Sequence, residues 1–426
     1  MKRDFGSLPG GIMAAILILA GGQLPAQQAL TWDQVKAKFE ATNPALKADA
    51  DNVDEMRAEE ITAYLRPNPQ LTISTDGTQI APNHGVWQPL GGTDVQPNLS
   101  YLHERDHKRE LRLQSAQEGT RITEAQHEDL KRTMEFTLRS AFVQTLQAKT
   151  VVAMAKDDLA YYDKIINISS ERLKAGDIAQ IDFERIDLLR VQYESELETA
   201  TVNLRTSKIQ LLQLLNDRTP VDQFDISGVF DFSDALGPLD DFRQAALAAR
   251  PDLQAALETI QQSETNHNLA IANGSTDPTL SAWYTWNAST NNPDGTQTLG
   301  LSVNIPLRIF DRNQGEKRRT EIDIERSRQS GDAARAQVFA DVDSAYEQLR
   351  SNIALLKPYK AKYNGEALHV RDTVTYSYQH GGASLMDFLN AQSEYRQVQL
   401  AYAQLVGAYL TAAGQLNLAV GREVIP

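Results

Sequence analysis

The sequence contains no cysteine. That excludes disulfide staples, and it excludes a lipid carried on an N-terminal cysteine, so any membrane attachment has to come from the fold. Positive charge is scarce as well. Lys and Arg number 42 against 56 Asp and Glu, a formal charge of −14. Nucleic acid is a poor partner for such a chain because its phosphates need a cationic excess, whereas an acidic surface or channel attracts cations. Beyond the N-terminus no apolar run approaches the ~18–20 residues of a spanning helix. If this chain sits in a membrane, only a closed β-barrel satisfies its backbone there. Proline is missing from the whole stretch between Pro97 and Pro220, where Gly119 and Gly176 are the only glycines.

That last absence points to what is present. A long run rich in Leu, Ala, Gln, Glu, Lys and Arg predicts two long helices broken near Gly176. The first, from about Glu104 to Leu173, would be on the order of 100 Å long at about 1.5 Å per residue. The plan recurs from about Gln314 to Tyr378, where Pro358 should kink the helix, and from about Leu385 to Leu418. Apolar residues such as Leu188, Leu189, Val191, Leu197, Leu204, Leu211 and Leu215 form a narrow stripe at helical spacing. A soluble antiparallel coiled coil would carry the same stripe.

The recurrence extends further. "NPAL" at Asn43 is matched by "RPDL" at Arg250, "NPQL" at Asn68 by "DPTL" at Asp277, and "AGDIAQIDF" at Ala175 by "GGASLMDF", with Gly176 over Gly381. Motifs in the same order in both halves read as an internal duplication. The expected division is a signal peptide at 1–26, a first repeat at 27–220, a linker at 221–240 and a second repeat at 241–426. The signal rests on Lys2, Arg3, the apolar run Ile12 to Ala20 and a cleavage site near Ala26. Each repeat contains a hairpin (about 70–103 and about 279–306) followed by helices (about 104–217 and about 314–420).

The strands argue against a soluble coiled coil. Leu71, Ile73 and Thr75, then Leu99 and Tyr101, then Leu280, Ala282, Tyr284 and Trp286, then Leu299, Leu301, Val303 and Ile305 each alternate with mostly polar residues. Such a dyad pattern fits barrel strands with an apolar outer face and a polar lumen. Four strands cannot enclose a lumen, since about eight leave barely any interior space. Several copies must therefore pool strands, most simply by cyclic symmetry.

With these elements in this order, the chain resembles the TolC-like outer-membrane channels of tripartite efflux and type I secretion. The resemblance covers nearly the whole chain after the signal. It implies an α+β membrane channel: a homotrimer whose four strands per chain make a twelve-stranded barrel in outer-membrane lipid. A long α-helical coiled-coil barrel continues it into the periplasm of a Gram-negative-type bacterium. "IPLRIFDRNQGE" (Ile305 to Glu316) looks like the strand-to-helix junction of the heavy-metal, cobalt–zinc–cadmium branch. The implied partners are a periplasmic membrane-fusion adaptor and an inner-membrane resistance–nodulation–division pump, with no cofactor and no enzymatic activity. Residue by residue, the adaptor-docking tips fall on Gly176, Asp177, Ile178, Ala179 and on Gly381, Gly382, Ala383, Ser384. The periplasmic constriction falls on Asp387, Asn390, Asp182 and Tyr378, with Tyr378 bonding Asp182 and three Asp387 carboxylates raising one another's pKa. The family often has a second acid where this chain has Asn390.

Other candidates are weaker. His103 and His107 stand four apart but lack a third metal ligand. His84 and His380 read as solvated. Lys317, Arg318, Arg319, Arg105, Lys108 and Arg109 form a basic cluster beside the strands, and Trp283, Tyr284 and Trp286 suit a membrane girdle. A periplasmic coiled-coil adaptor or scaffold without a pore is the alternative function. No nucleophile–His–acid set or phosphate loop is present.

Overall fold

The structure, a computed structural model, describes residues 29–287 and 297–425. The proposed signal peptide and the second hairpin's loop, Ser289 to Thr296, lie outside them. Helices α1 (Trp32–Thr42) and α2 (Pro44–Tyr64) lead into strands β1 (Gln70–Asp76) and β2 (Asp94–Leu102), then helices α3 (Lys108–Ala175) and α4 (Gln180–Leu214). The order recurs as α5 (Leu239–Ala249), α6 (Pro251–Ala272), β3 (Thr279–Asn287), β4 (Gln297–Asn304) and α7 (Gln314–Pro358). It ends with α8 (Asn364–Gln379) and α9 (Leu385–Val420). At 68 residues, α3 is about 100 Å long.

The two proline openings do the same work in each half. Pro44 and Pro251 occupy the first helical turn, where a missing N–H costs nothing. The residue before each proline ties its helix to the end of that half's last helix. Asn43 Nδ2 donates to Leu214 O at 3.1 Å, and Arg250 Nη1 donates to Ala419 O at 3.3 Å. Both last helices close on a left-handed residue, Asn216 (φ 48°) and Gly421 (φ 85°).

The second half departs from the first at Pro358. This proline has no N–H to continue the α-helical ladder, and residues Tyr359–Tyr363 form a wider π-type turn before α8 begins. The expected kink is thus a local widening of a helix that continues. The linker lies against this turn. Asp231 accepts from Lys360 Nζ at 2.6 Å, and Lys357 lies 3.5 Å from Asp234.

Side-chain packing is concentrated in a belt partway along the long helices. There α1 pads one half with Val35 and Phe39, against Leu138, Phe142, Leu211 and Leu215. Helix α5 pads the other with Phe242 and Ala246, against Val338, Val342 and Leu416. Charge locks the belt. The Asp217 carboxyl is pushed up by burial but more strongly held down by Lys38 and by the hydroxyl and amide of Thr219, to about 2. An unfolded aspartate titrates near ~3.9, so this stabilisation is present above pH ~4 and fades as pH falls toward ~2. Melting of the detergent-solubilised protein should therefore drop between pH 4.5 and 2.5, and less in Asp217→Asn. An identical drop in the variant would assign the acid sensitivity elsewhere.

Candidate functional site

The four strands form one antiparallel sheet in the order β1-β2-β3-β4. Its register puts Leu71 opposite Leu99, Leu99 opposite Ala282, Ala282 opposite Leu301, and Tyr284 opposite Leu299. All the apolar residues of the dyad pattern therefore share one face. No described residue covers it: Leu71, Ile73, Leu299 and Leu301 are each about two-thirds exposed or more. Thr72, Ser74, Gln96, Asn98, Ser281, Thr285 and Ser302 line the opposite face, where Gln96 Nε2 donates to Thr285 Oγ1 at 3.3 Å. Pro97 pairs with Ile73 on the β1 side, and the β2–β3 ladder is interrupted at Gln96 and Pro97, where the missing N–H would fall.

The girdle expectation needs correcting at one residue. Successive strand residues face opposite ways, so Trp283 cannot share a face with Tyr284 and Trp286. It lies on the polar face, flat over Gly300, where a Cβ would stand 2.2 Å from the indole. Gly300 is glycine because the ring occupies the place of its side chain.

At the far end of the helices the two glycine turns close alike. Gly176 (φ 84°) and Gly381 (φ 77°) both adopt the left-handed conformation. Asp177 N donates to Arg172 O at 2.9 Å, and Gly382 N donates to Ser377 O at 2.7 Å. Each is a five-residue back-bond that lets a helix stop and the chain reverse at once. The following caps differ. Ala179 opens α4 with no side-chain cap, whereas Ser384 opens α9 with a full capping box.

That cap occupies Asp387. Its Oδ2 accepts from Ser384 Oγ at 2.7 Å and Ser384 N at 3.1 Å. Hydrogen bonds from the Ser384 hydroxyl and then its amide hold the exposed carboxyl below its usual range. Within one chain the local chemistry thus runs opposite to the pKa increase expected from neighbouring carboxylates. Asn390 is exposed one helical step away, and Asp182 is half-exposed in the first turn of α4.

Tyr378 is placed differently from expectation. It is 5% exposed, and its hydroxyl lies beside Ser169 without a well-formed hydrogen bond and makes none to Asp182. Burial pushes its pKa up. The ring stacks on Phe388 at 5.0 Å, with the Arg172 guanidinium 5.1 Å from its centroid. Arg172 Nη1 also donates to Tyr378 O at 2.9 Å, joining the ends of α3 and α8. Tyr378 is a packing residue of an aromatic cluster with Tyr162, Tyr193 and Phe388. Ala383 packs against that cluster and Ile178 is half-buried, while the other six docking residues are exposed.

Beside the sheet, the basic cluster is partly paired. Lys108, 3% exposed, bonds Asp277 at 2.6 Å across the two halves. Arg318 and Arg319 pair with Glu321 and Glu316 on their own helix. His103 and His107 are exposed, and no group of three metal-ligating side chains occurs among the described residues.

The chain is 23% identical to the cobalt-zinc-cadmium resistance protein CzcC of Cupriavidus metallidurans, over 92% of this chain and 90% of that one. It is 23% identical to the outer membrane efflux protein BepC of Brucella suis, over 96% of this chain and 90% of that one. Residues 242–422 match the outer membrane efflux protein family. The second half of the chain is therefore similar to that family. A crystal structure of CusC superposes with a TM-score of 0.75 at 16% identity, covering 92% of each chain. The efflux-protein fold therefore extends across both halves, including residues ahead of the matched segment.

Proposed function

We propose that this protein is the outer-membrane exit duct of a tripartite efflux system. It passively conducts solutes delivered by an inner-membrane pump and a periplasmic adaptor. The observation that carries this reading is the sheet: four antiparallel strands, one apolar exposed face, one polar face and two open edges. An even number of antiparallel strands lets β4 of one copy pair with β1 of the next while keeping the antiparallel alternation. Three copies would then close twelve strands around a polar lumen and remove both edges. The helices extend the lumen into the periplasm, and the duplicated architecture gives each copy two tips. A pore-less scaffold leaves the apolar sheet face unexplained.

Heavy-metal cations are the favoured cargo, supported by the likeness to CzcC and by the junction Ile305 to Glu316. The adaptor would dock at the paired glycine turns, whose small exposed residues admit a close helical hairpin. Gly382 is the position to test, because Ala383 also supports the core beneath. Gly382→Trp should abolish export while detergent-stable oligomers persist; wild-type cross-linking to the adaptor would move the docking site elsewhere.

Asp387 and Asn390 would face the axis at the constriction. With Ser384 already holding Asp387 ionised, a ring of these carboxylates would stay charged and attract cations. Divalent cations should block conductance in a planar bilayer from the periplasmic side, and Asp387→Ala should relieve the block. Unchanged block would place the constriction on other residues. The whole reading is tested by conductance of the purified protein and by metal sensitivity of a deletion strain. Absence of both defeats it.

A further inference from the structure

The segment between β4 and α7 breaks the usual rule for connecting loops. Leu307, Ile309 and Phe310 are 79%, 62% and 90% exposed, and Ile305 before them is also exposed. Among them stand Arg308 and Arg312. Neither forms an ion pair with a carboxylate among the described residues; Arg312 is exposed, and Arg308 is half-buried with its Nε buried and without a hydrogen-bond partner there. Exposed apolar residues interleaved with unpaired guanidiniums in a loop are out of place in water.

Strand length gives them one. The strands hold 7, 9, 9 and 8 residues, whereas a tilted membrane strand needs about 9–11. Eight residues at ~3.4 Å and ~45° tilt reach about 19 Å, short of the ~25 Å apolar band of an outer-membrane barrel. The outer end of β4 cannot make up the difference, because Ala288 to Thr296 is almost wholly polar. At the helix end the two-residue step of Leu299, Leu301 and Val303 continues through Ile305 to Leu307. Within β4 those side chains stand normal to the sheet, toward the face assigned to lipid, and not along the edge where a second copy would pair; Ile305 and Leu307 keep the same step in the sequence just beyond the strand.

We infer that Ile305 to Phe310, with Arg312, is a lipid-binding anchor for the leaflet nearest the helices. Leu307, Ile309 and Phe310 enter the acyl boundary and complete the apolar band. Arg308 and Arg312 hold phospholipid phosphates, for which a guanidinium fork is well matched. Hydrophobic anchors beside cationic side chains are the composition of interfacial segments generally. The inference rests on the barrel reading above and adds a ligand class to it: anionic phospholipid.

Because the chain has no cysteine, single spin labels can be placed without background. Leu301→Cys, Leu307→Cys and Phe310→Cys are labelled in the full-length protein, which is reconstituted in phosphatidylethanolamine–phosphatidylglycerol vesicles. Relaxation by lipid-soluble oxygen and by a water-soluble nickel chelate is then compared. The anchor requires all three labels to respond to oxygen and to be protected from nickel. Oxygen contact at 301, with nickel contact at 307 and 310, overturns the anchor and leaves the barrel standing. Shielding of 307 and 310 from both relaxants overturns it in favour of a protein neighbour. Nickel contact at 301 overturns the barrel reading and the anchor with it. Separately, Arg308→Gln with Arg312→Gln should lower phosphatidylglycerol retained through detergent washes, read by native mass spectrometry, by roughly tenfold or more. Unchanged retention removes the two arginines from the site.

Discussion

Leu301→Arg should eliminate the assembled protein from the outer membrane, whereas Ser302→Arg should leave heat-modifiable oligomers on a gel. The two positions are adjacent in β4 and both exposed in the single chain, so surface exposure does not separate them. Register does. Leu301 pairs with Ala282 on the apolar face, and Ser302 pairs with Ser281 on the polar face. A cation at mid-depth on the lipid face costs roughly 2–4 kcal/mol. In a closed trimer the penalty appears three times, roughly 6–12 kcal/mol, comparable to the whole stability of a typical domain. On the lumen face the same side chain is hydrated. Equal outcomes for the two variants would mean that the sheet has no lipid side, and the exit-duct reading would fall with it.

Arg250→Met should be the most damaging single change in the helical belt. The guanidinium is 4% exposed and has three kinds of partner: Asp252 on its own helix, Asp341 on α7 at 2.8 Å, and the Ala419 carbonyl at the end of α9. Methionine fills comparable volume, so the effect reports charge more than cavity. Removing one member of a fully buried ion pair costs about 3–5 kcal/mol; here Asp252 and Asp341 are each about one-third exposed, and water screens part of that loss. Chemical unfolding of the detergent-solubilised protein should show the loss as a lower midpoint at unchanged slope. A double-mutant cycle with Asp341→Asn isolates the bond between elements. If Arg250→Met unfolds at the wild-type midpoint, the cluster carries no net stability and the belt is held by its apolar contacts alone.

The sequence made the strands, the long helices and the two turns legible for physical reasons that survive in the structure. A period of two demands a sheet with unlike faces, and a glycine between amphipathic helices demands a reversal. Trp283 was misassigned because its indole suggested a membrane interface, although its position in the alternation already put it on the other face. Gly300, opposite it in the next strand, was the signal for a close approach. Ser384 and Asp387 have capping-box spacing, and that explains why the carboxyl is held low; a reading centred on symmetry-related charges passed over it. Tyr378 could not be placed from sequence, because its cluster partners Tyr162, Tyr193 and Phe388 come from three different helices. In sequence the segment 221–240 shows only as a linker, because its ion pairs with Lys357 and Lys360 depend on contacts over more than a hundred residues.

Those pairs flank Pro358, and the widened turn after it sets an angle. In an α-helix each added residue turns everything beyond it by about 100°. A π-type turn accommodates an extra residue without breaking the rod, so α8 emerges with a phase different from the one α7 alone would give it. Thr375 and Tyr378 are the buried residues of α8, and they meet the neighbouring helices only at that phase. Removing one residue from Tyr359–Tyr363 would leave α8 helical but rotated by about a quarter turn. Tyr378 would then swing off Phe388 and away from Arg172. The geometry of the tip is therefore written some 15 residues upstream of Tyr378, in the azimuth of a helix and not in the residues of the turn it leads to.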